Sequence, residues 1–154
     1  MKRIILVIFI SITNLYRQQL KNSEIMEFSN CLRLYDYQER KDMKIDIPKL
    51  IQLQIEDKAE LIDIRFPEEV EAWKVGFAKN IPLNELPDRI TEPDKNKIIV
   101  TVCPHYDRAS IARHYLTLIG FNSKYLVEGL LGLDEYLRGD KAKEFILSIK
   151  KQNL

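Results

Sequence analysis

The chain has 154 residues, of which 45% are hydrophobic and 31% are charged, and its formal net charge is +1. This length and composition are typical of one globular domain with its own core, and they argue against a disordered or fibrous chain. Since the charges nearly cancel and we find no local basic patch, we expect no nucleic-acid partner.

The N-terminal segment, residues 1–42, lacks the regular pattern of the remainder. Two basic residues precede an apolar run, Ile4 to Ile12, which is typical of a signal peptide, but no small-residue cleavage site follows. The run is too short to span a bilayer, which takes about twenty residues. A weak signal or anchor, an extra helix or strand, and a non-native extension all stay open. We expect the main domain at residues 43–154 of a cytoplasmic protein, with a membrane-associated or periplasmic location as the alternative.

From residue 43 onward, strand-like and helix-like segments alternate. A short strand is predicted in KIDI, followed by a helix in PKLIQLQIED with Pro48 in its first turn. A buried strand is predicted over Ala59–Arg65, and FPEEVEAW is predicted to begin a helix, because acidic residues in a first turn suit the helix dipole. AKNIPL is predicted to be a short strand and LNELPDRI a short helix.

The second half of the chain continues the alternation with KIIVTVC, the most apolar of the predicted strands. In the next segment, Ala109, Ala112, Leu116 and Ile119 recur at steps of three or four residues, which indicates one face of a helix, and Gly120 fits its C-terminal cap. SKYLVEG is predicted to be the last strand, followed by one or two helices. Strands separated by helices of this length need crossover connections, so the sequence predicts an α/β fold with a mostly parallel sheet flanked by helices.

The turn after KIIVTVC contains the main candidate for chemistry. In parallel sheets, ligands bind beyond the carboxyl ends of the strands, and Cys103 stands at such an end. The N–H groups and the dipole of the following helix favour an anion, so we expect them to lower the pKa of this thiol, with Arg108 as an adjacent cation. This pattern favours a nucleophilic thiolate acting on an anionic substrate over a buried structural cysteine.

Three stretches resemble blocks of the rhodanese (sulfurtransferase) family, in the order expected for that family. CPHYDRA resembles the active-site loop, in which an arginine follows the cysteine after four residues. AELIDIRFPEEVEAWKVGFAKNIPLNEL resembles the block before this loop, and GFNSKYLVEGLLGLDEYL resembles the closing block. The resemblance covers about Ile45 to Leu147 and implies the three-layer rhodanese-like fold in a single domain.

The resemblance also implies an activity. Cys103 would accept a sulfane sulfur from a small anionic donor such as thiosulfate, hold it as a persulfide, and pass it to cyanide, a thiol or a sulfur-accepting protein. Relatives that act on phosphate or arsenate have one more residue between cysteine and arginine, so the shorter loop favours sulfur. The residues implied to bind the donor are Pro104, His105, Tyr106, Asp107, Arg108 and Ala109.

The loop also departs from the family pattern, which keeps two other functions open. Tyr106 stands where glycine is common and would be strained if its φ were positive, Pro104 lacks an N–H group, and Asp107 adds negative charge beside the thiol. These differences suit a binding or sensing module without turnover. A phosphatase or arsenate reductase activity is the third hypothesis, which the loop length disfavours.

Two further charges, Asp63 and Arg65, end the apolar strand at the same edge of the predicted sheet. They are candidates for a supporting role, either in function or in holding the loop by hydrogen bonds. The chain has two cysteines and two histidines and no Cys-x-x-Cys pair, so we expect no metal site, and we expect no cofactor.

Overall fold

The computed structural model describes residues 18–19 and 28–152, and the predicted apolar run at the N-terminus lies outside this range. Residues 28–33 form a helical segment. The chain divides into two compact units between Tyr37 and Gln38. Among the residues described, none of the helices combines the length and apolar character needed to cross a membrane. A domain start at residue 43 stays a prediction.

In the described part of the chain, five strands form one parallel sheet, in the spatial order β1 (Lys44–Ile45), β5 (Ser123–Leu126), β4 (Ile98–Val102), β2 (Ala59–Asp63) and β3 (Lys79–Asn80). Helices connect β1 to β2, β2 to β3 and β4 to β5, and a longer segment of turns connects β3 to β4, which gives the crossovers that parallel pairing requires. The predicted α/β class is therefore confirmed. The elements are α1 (Tyr37–Asp42), β1 (Lys44–Ile45), α2 (Ile47–Ile55), β2 (Ala59–Asp63), α3 (Pro67–Ala72), β3 (Lys79–Asn80), β4 (Ile98–Val102), α4 (Asp107–Leu118), β5 (Ser123–Leu126), α5 (Gly129–Tyr136) and α6 (Asp140–Gln152).

The alternation of side chains along β4 divides the apolar residues between the two faces of the sheet, which gives the three layers. Val100 and Val102 point to a core shared with α2 and α5, whereas Ile99 and Cys103 point to a core shared with α4. The first core consists of Ile45, Ile47, Leu50, Leu53, Ala59, Leu61, Val100, Val102, Leu126, Leu130 and Leu133. The second consists of Ile62, Ile64, Ile81, Leu86, Ile99, Cys103, Ala109, Ala112, Leu116, Phe121 and Tyr125.

Local signals in the sequence account for the ends of two helices. At the start of α2, the carboxylate of Asp46 accepts a hydrogen bond of 2.9 Å from the N–H of Lys49, and Pro48 lies in the first turn as predicted. After α4, Gly120 has a φ of +90°, the left-handed conformation that a glycine C-terminal cap supplies.

The helix predicted in LNELPDRI is wrong, because the chain forms consecutive turns over residues 83–91. Pro87 explains this result. It has no N–H to donate, and in a continuous helix its ring would clash with the carbonyl of Leu83. Leu86 is nevertheless fully buried, so the segment contributes to the core as a turn.

The predicted inner face of α4 is correct for Ala109, Ala112 and Leu116, which are fully buried, and wrong for Ile119, which is 41% exposed. The helix ends at Leu118, so Ile119 no longer follows the helical period.

Candidate active site

Cys103 lies at the carboxyl end of β4, and its side chain is fully buried against α4. The hydroxyl of Thr101, on the same face of β4, donates a hydrogen bond of 2.8 Å to the backbone carbonyl of Ala109. This bond holds the first turn of α4 against the strand. The sulfur is thereby positioned beside the amino end of a helix, as the sequence predicted.

Polar groups of the first turn of α4 surround the sulfur. The backbone N–H groups of Ala109 and Arg108 favour a negative charge on it and act to lower the pKa of the thiol. The thiol is also within 3.4 Å of Oδ1 of Asp107, to which it donates its hydrogen. The N–H groups beside the sulfur therefore favour a negative charge on it, whereas the carboxylate of Asp107 disfavours one.

The expected decrease in the pKa of Cys103 is wrong for this structure. Burial raises the pKa of the thiol, and the carboxylate of Asp107 raises it further, although the N–H groups of Ala109 and Arg108 oppose the rise. The pKa of Asp107 is lowered, first by the N–H of Arg108 and then by the thiol. At neutral pH the site therefore holds a protonated thiol that donates to an ionised carboxylate.

The guanidinium of Arg108 is bound by Glu69 of α3. Its two terminal nitrogens donate hydrogen bonds of 2.7 and 2.8 Å to the two carboxylate oxygens. This bidentate ion pair is the main cause that lowers the pKa of Glu69 to about 2. Arg108 was predicted to be a cation available to an anionic substrate, but here its charge is balanced by α3.

Glu69→Gln is expected to lower the free energy of unfolding by about 1 kcal/mol at pH 7, a value reduced for solvent screening because both side chains are partly exposed. Since folding depresses the pKa of Glu69 from 4.5 to about 2, this stabilisation is present above pH 4.5 and is lost as the pH falls towards 2. Urea unfolding of both proteins across this range tests the trend.

Glu135→Gln is the matched control, because Glu135 forms an ion pair with Arg138 in which both side chains are about two-thirds exposed. We expect it to change stability little at any pH. An equal effect of the two substitutions, or an effect of Glu69→Gln that does not depend on pH, would contradict the predicted contribution of Glu69.

The amino end of α5 supports the other side of the cysteine loop, which comprises residues 103–108. The N–H groups of Leu130 and Leu131 donate hydrogen bonds to the carbonyls of Cys103 and Pro104, at 2.9 and 3.2 Å. Gly129 precedes them with a φ of +65°. A Cβ on this glycine would lie 2.1 Å from the carbonyl oxygen of His105, so only glycine permits the close approach.

Asp63 and Arg65 form an ion pair of 2.6 Å in which both side chains are buried. Arg65 also donates to the carbonyl of Trp73 at 3.0 Å, and its guanidinium carbon lies 4.1 Å from the centroid of the Trp73 ring. The side-chain amide of Asn80 donates to the carbonyls of Asp63 and Arg65 at 2.8 and 3.0 Å. These contacts hold the connection from β2 to α3, the helix that contains Glu69. A supporting role of the pair at the site stays a prediction.

The predicted donor-binding residues of the loop differ in how far they are buried. Ala109 is buried and Pro104 is half-buried, whereas His105, Tyr106 and Asp107 are exposed. Tyr106 has a φ of −146°, an ordinary value for any residue, so the strain considered from the sequence is absent. Residues 103–109 therefore form the connection from β4 to the first turn of α4 at the carboxyl edge of the sheet, with Asp107 in contact with the sulfur.

Two residues of this site were missed in the sequence, Glu69 and Gly129. Glu69 had a weak signal as one of two acidic residues in the first turn of α3, but nothing indicated which of them would contact Arg108, 39 residues further along the chain. The signal for Gly129 was a glycine in a predicted strand-to-helix turn. Its close approach to the cysteine loop depends on the packing of α5.

The fold and this loop identify the class of protein. Residues 47–136 match the family model described as Rhodanese-like domain, so the chain belongs to the rhodanese-like domain family. It is 32% identical over 82 residues to the thiosulfate sulfurtransferase GlpE of Pseudomonas syringae, a match that covers 53% of this chain and 77% of GlpE. The chain thus belongs to a sulfurtransferase-like family.

Solved structures agree with this assignment. The rhodanese-like domain protein of Staphylococcus aureus has a TM-score of 0.52 and 27% identity, over 56% of this chain and 86% of that one. The reduced CoADR-RHD of Bacillus anthracis also has a TM-score of 0.52, with 29% identity, over 56% of this chain. The match spans 15% of the Bacillus anthracis chain, so it concerns one part of a longer protein.

Proposed function

We propose that this chain is a sulfurtransferase that carries a sulfane sulfur as a persulfide on Cys103. The observation that carries the proposal is the position of the sulfur at the amino end of α4, where the N–H groups of Arg108 and Ala109 favour a negative charge on it. Such donors stabilise a negative charge on sulfur in the thiolate, in the persulfide and during the transfer between them. Similarity to a thiosulfate sulfurtransferase supports the same class of reaction.

The reaction has two sulfur-transfer steps. In the first, the Cys103 thiolate attacks the outer sulfur of the donor, the S–S bond of the donor breaks, and the remainder leaves with the electron pair, as sulfite in the case of thiosulfate. In the second, cyanide or a thiolate attacks the outer sulfur of the persulfide, and the Cys103 thiolate is restored. The backbone of residues 104–109 binds the donor, and the acceptor is cyanide, a thiol or a sulfur-accepting protein. Sulfur moves between nucleophiles in both steps, so no metal or other cofactor takes part.

Detection of the persulfide tests this function. After incubation with thiosulfate, mercaptopyruvate or polysulfide, intact mass spectrometry is expected to show the addition of one sulfur atom to the wild-type protein. Cys103→Ser is expected to abolish the addition, whereas Cys31→Ser, which alters the second cysteine of the chain, is expected to retain it. A Cys103 that stays unmodified under conditions that load GlpE would rule the function out.

A binding or sensing module without turnover is the second candidate, and it is favoured by the buried, protonated thiol and by the pairing of Arg108 with Glu69. The two candidates differ in the second step. An enzyme releases the sulfur when cyanide or a thiol is added, with repeated turnover. A binding module forms no persulfide, or forms one that these acceptors do not remove.

A further inference from the structure

The charge next to the sulfur is negative. Oδ1 of Asp107 is 3.4 Å from Sγ of Cys103, and the pKa of this carboxyl is lowered, so it is ionised at neutral pH. Cys103 is buried whereas Asp107 is exposed, as are the preceding loop residues His105 and Tyr106. The carboxylate therefore lies on the solvent side of the sulfur, which is the side that a donor must approach.

The nearest cation of the loop, Arg108, offsets this charge only in part. Both terminal nitrogens of Arg108 are bound to Glu69 at 2.7 and 2.8 Å, which makes a pair without net charge. The backbone N–H groups of Ala109 and Arg108 favour an anion at the sulfur, but they contribute only partial charges. A donor therefore meets the negative charge of Asp107 directly at the sulfur.

The charge of Asp107 affects which donors can react, because the outer sulfur of the donor must contact Sγ of Cys103. The rest of the donor then lies within a few ångströms of the Asp107 carboxylate. Coulomb repulsion is proportional to the charge of the donor, so a dianion such as thiosulfate is repelled twice as strongly as a monoanion at the same distance. Exposed apolar side chains at the loop offer contact for an organic group instead: Tyr106 is 56% exposed, and Leu131, whose N–H donates to the carbonyl of Pro104, is 49% exposed.

We infer that Asp107 determines donor specificity by selecting against dianionic donors, and that the preferred donor is a persulfide of a thiol without other charged groups, R–S–SH. This inference rests on the proposed function. The reaction is Cys103–SH + R–S–SH → Cys103–S–SH + R–SH. The S–S bond of the donor breaks, one S–S bond forms, and the leaving thiolate R–S⁻ receives the proton that Cys103 loses. One thiol gains the sulfane sulfur that the other gives up, so the reaction needs no oxidant or reductant.

Asp107→Asn tests the inference through a ratio of two rates. Formation of the Cys103 persulfide is measured by intact mass spectrometry with thiosulfate and, separately, with 2-hydroxyethyl persulfide. A change in the pKa of the thiol affects both rates alike and cancels in their ratio. We expect the ratio of the thiosulfate rate to the persulfide rate to increase about tenfold or more in the variant.

Glu56→Gln is the matched control, because it removes one carboxylate beside Lys58, just before β2 and at the amino end of the sheet. This substitution is expected to leave the ratio unchanged. The wild-type protein supplies a measurement that does not depend on any variant folding. Salt screens repulsion between like charges, so the thiosulfate rate should increase with ionic strength, and it should do so more than the 2-hydroxyethyl persulfide rate.

The outcomes separate the inference from the function on which it rests. A ratio that Asp107→Asn leaves unchanged, or a thiosulfate rate that falls with salt, overturns the selection by charge while Cys103 still forms a persulfide. If neither donor loads Cys103 in the wild-type protein, the proposed function itself fails, and the inference fails with it. A tenfold increase of the ratio in Asp107→Asn, absent in Glu56→Gln, supports the inference.

Discussion

Asp63→Asn is expected to lower the free energy of unfolding by about 3 to 5 kcal/mol, because it leaves the guanidinium of Arg65 as an unpaired charge in the interior. The two side chains are 2% and 0% exposed, and their closest atoms are 2.6 Å apart. The carboxylate of Asp63 accepts three hydrogen bonds from Nε and Nη2 of Arg65 and one from its backbone N–H. Urea unfolding at neutral pH, followed by circular dichroism, measures the loss.

A double-mutant cycle separates the unpaired charge from other effects of the substitution. The cycle uses the single variants Asp63→Leu and Arg65→Met, which leave a buried guanidinium and a buried carboxylate respectively, and the double variant, which removes both charges. We expect this double variant to be at least about 2 kcal/mol more stable than the sum of the single losses predicts. The surface control is Asp134→Asn, because Asp134 forms an exposed ion pair of 3.8 Å with Arg138. This substitution should lower the free energy of unfolding by less than about 0.5 kcal/mol. Additive losses in the cycle would contradict the argument.

Gly129→Ala is expected to destabilise the protein by about 3 kcal/mol or more and to displace the cysteine loop. The added Cβ would lie 2.1 Å from the carbonyl oxygen of His105 and 2.5 Å from that of Pro104. Both are backbone atoms, so relief requires movement of the loop itself. Since this loop positions Cys103, persulfide formation should also be slower in the variant, and intact mass spectrometry after short exposure to a donor measures this rate.

Gly139→Ala is the control for the backbone contribution alone. Gly139 has a φ of +57°, close to the +65° of Gly129, but a Cβ there would meet no atom within 4 Å. Its substitution is expected to cost about 1 kcal/mol and to leave persulfide formation unchanged. Equal effects of the two substitutions would show that φ, and not the contact with the loop, requires glycine at residue 129.

The order of helices and strands could be predicted because it depends on neighbouring residues. Runs such as KIIVTVC and the spacing of Ala109, Ala112 and Leu116 encode burial within one segment, and the predicted parallel sheet followed from their alternation. The helix predicted at 83–90 is wrong, since Pro87 does not allow a continuous helix in this segment.

For the candidate site, the sequence by itself determined the position of the nucleophile candidate: Cys103 between the most apolar strand and a helix, with Arg108 after four residues. That loop, with the blocks before and after it, was enough to predict the fold and the family. These features are local, so they can be recognised without knowledge of the packing.

Only the tertiary structure decided the state of the thiol and the charges around it. The pKa of Cys103 is raised because packing against α4 buries the side chain. The prediction of a lowered pKa rested on the helix dipole, and it did not include this burial. Glu69 reaches Arg108, and Gly129 contacts the cysteine loop, through the folding of distant segments. Desolvation and Coulomb interactions depend on distances in space, which spacing along the chain does not specify.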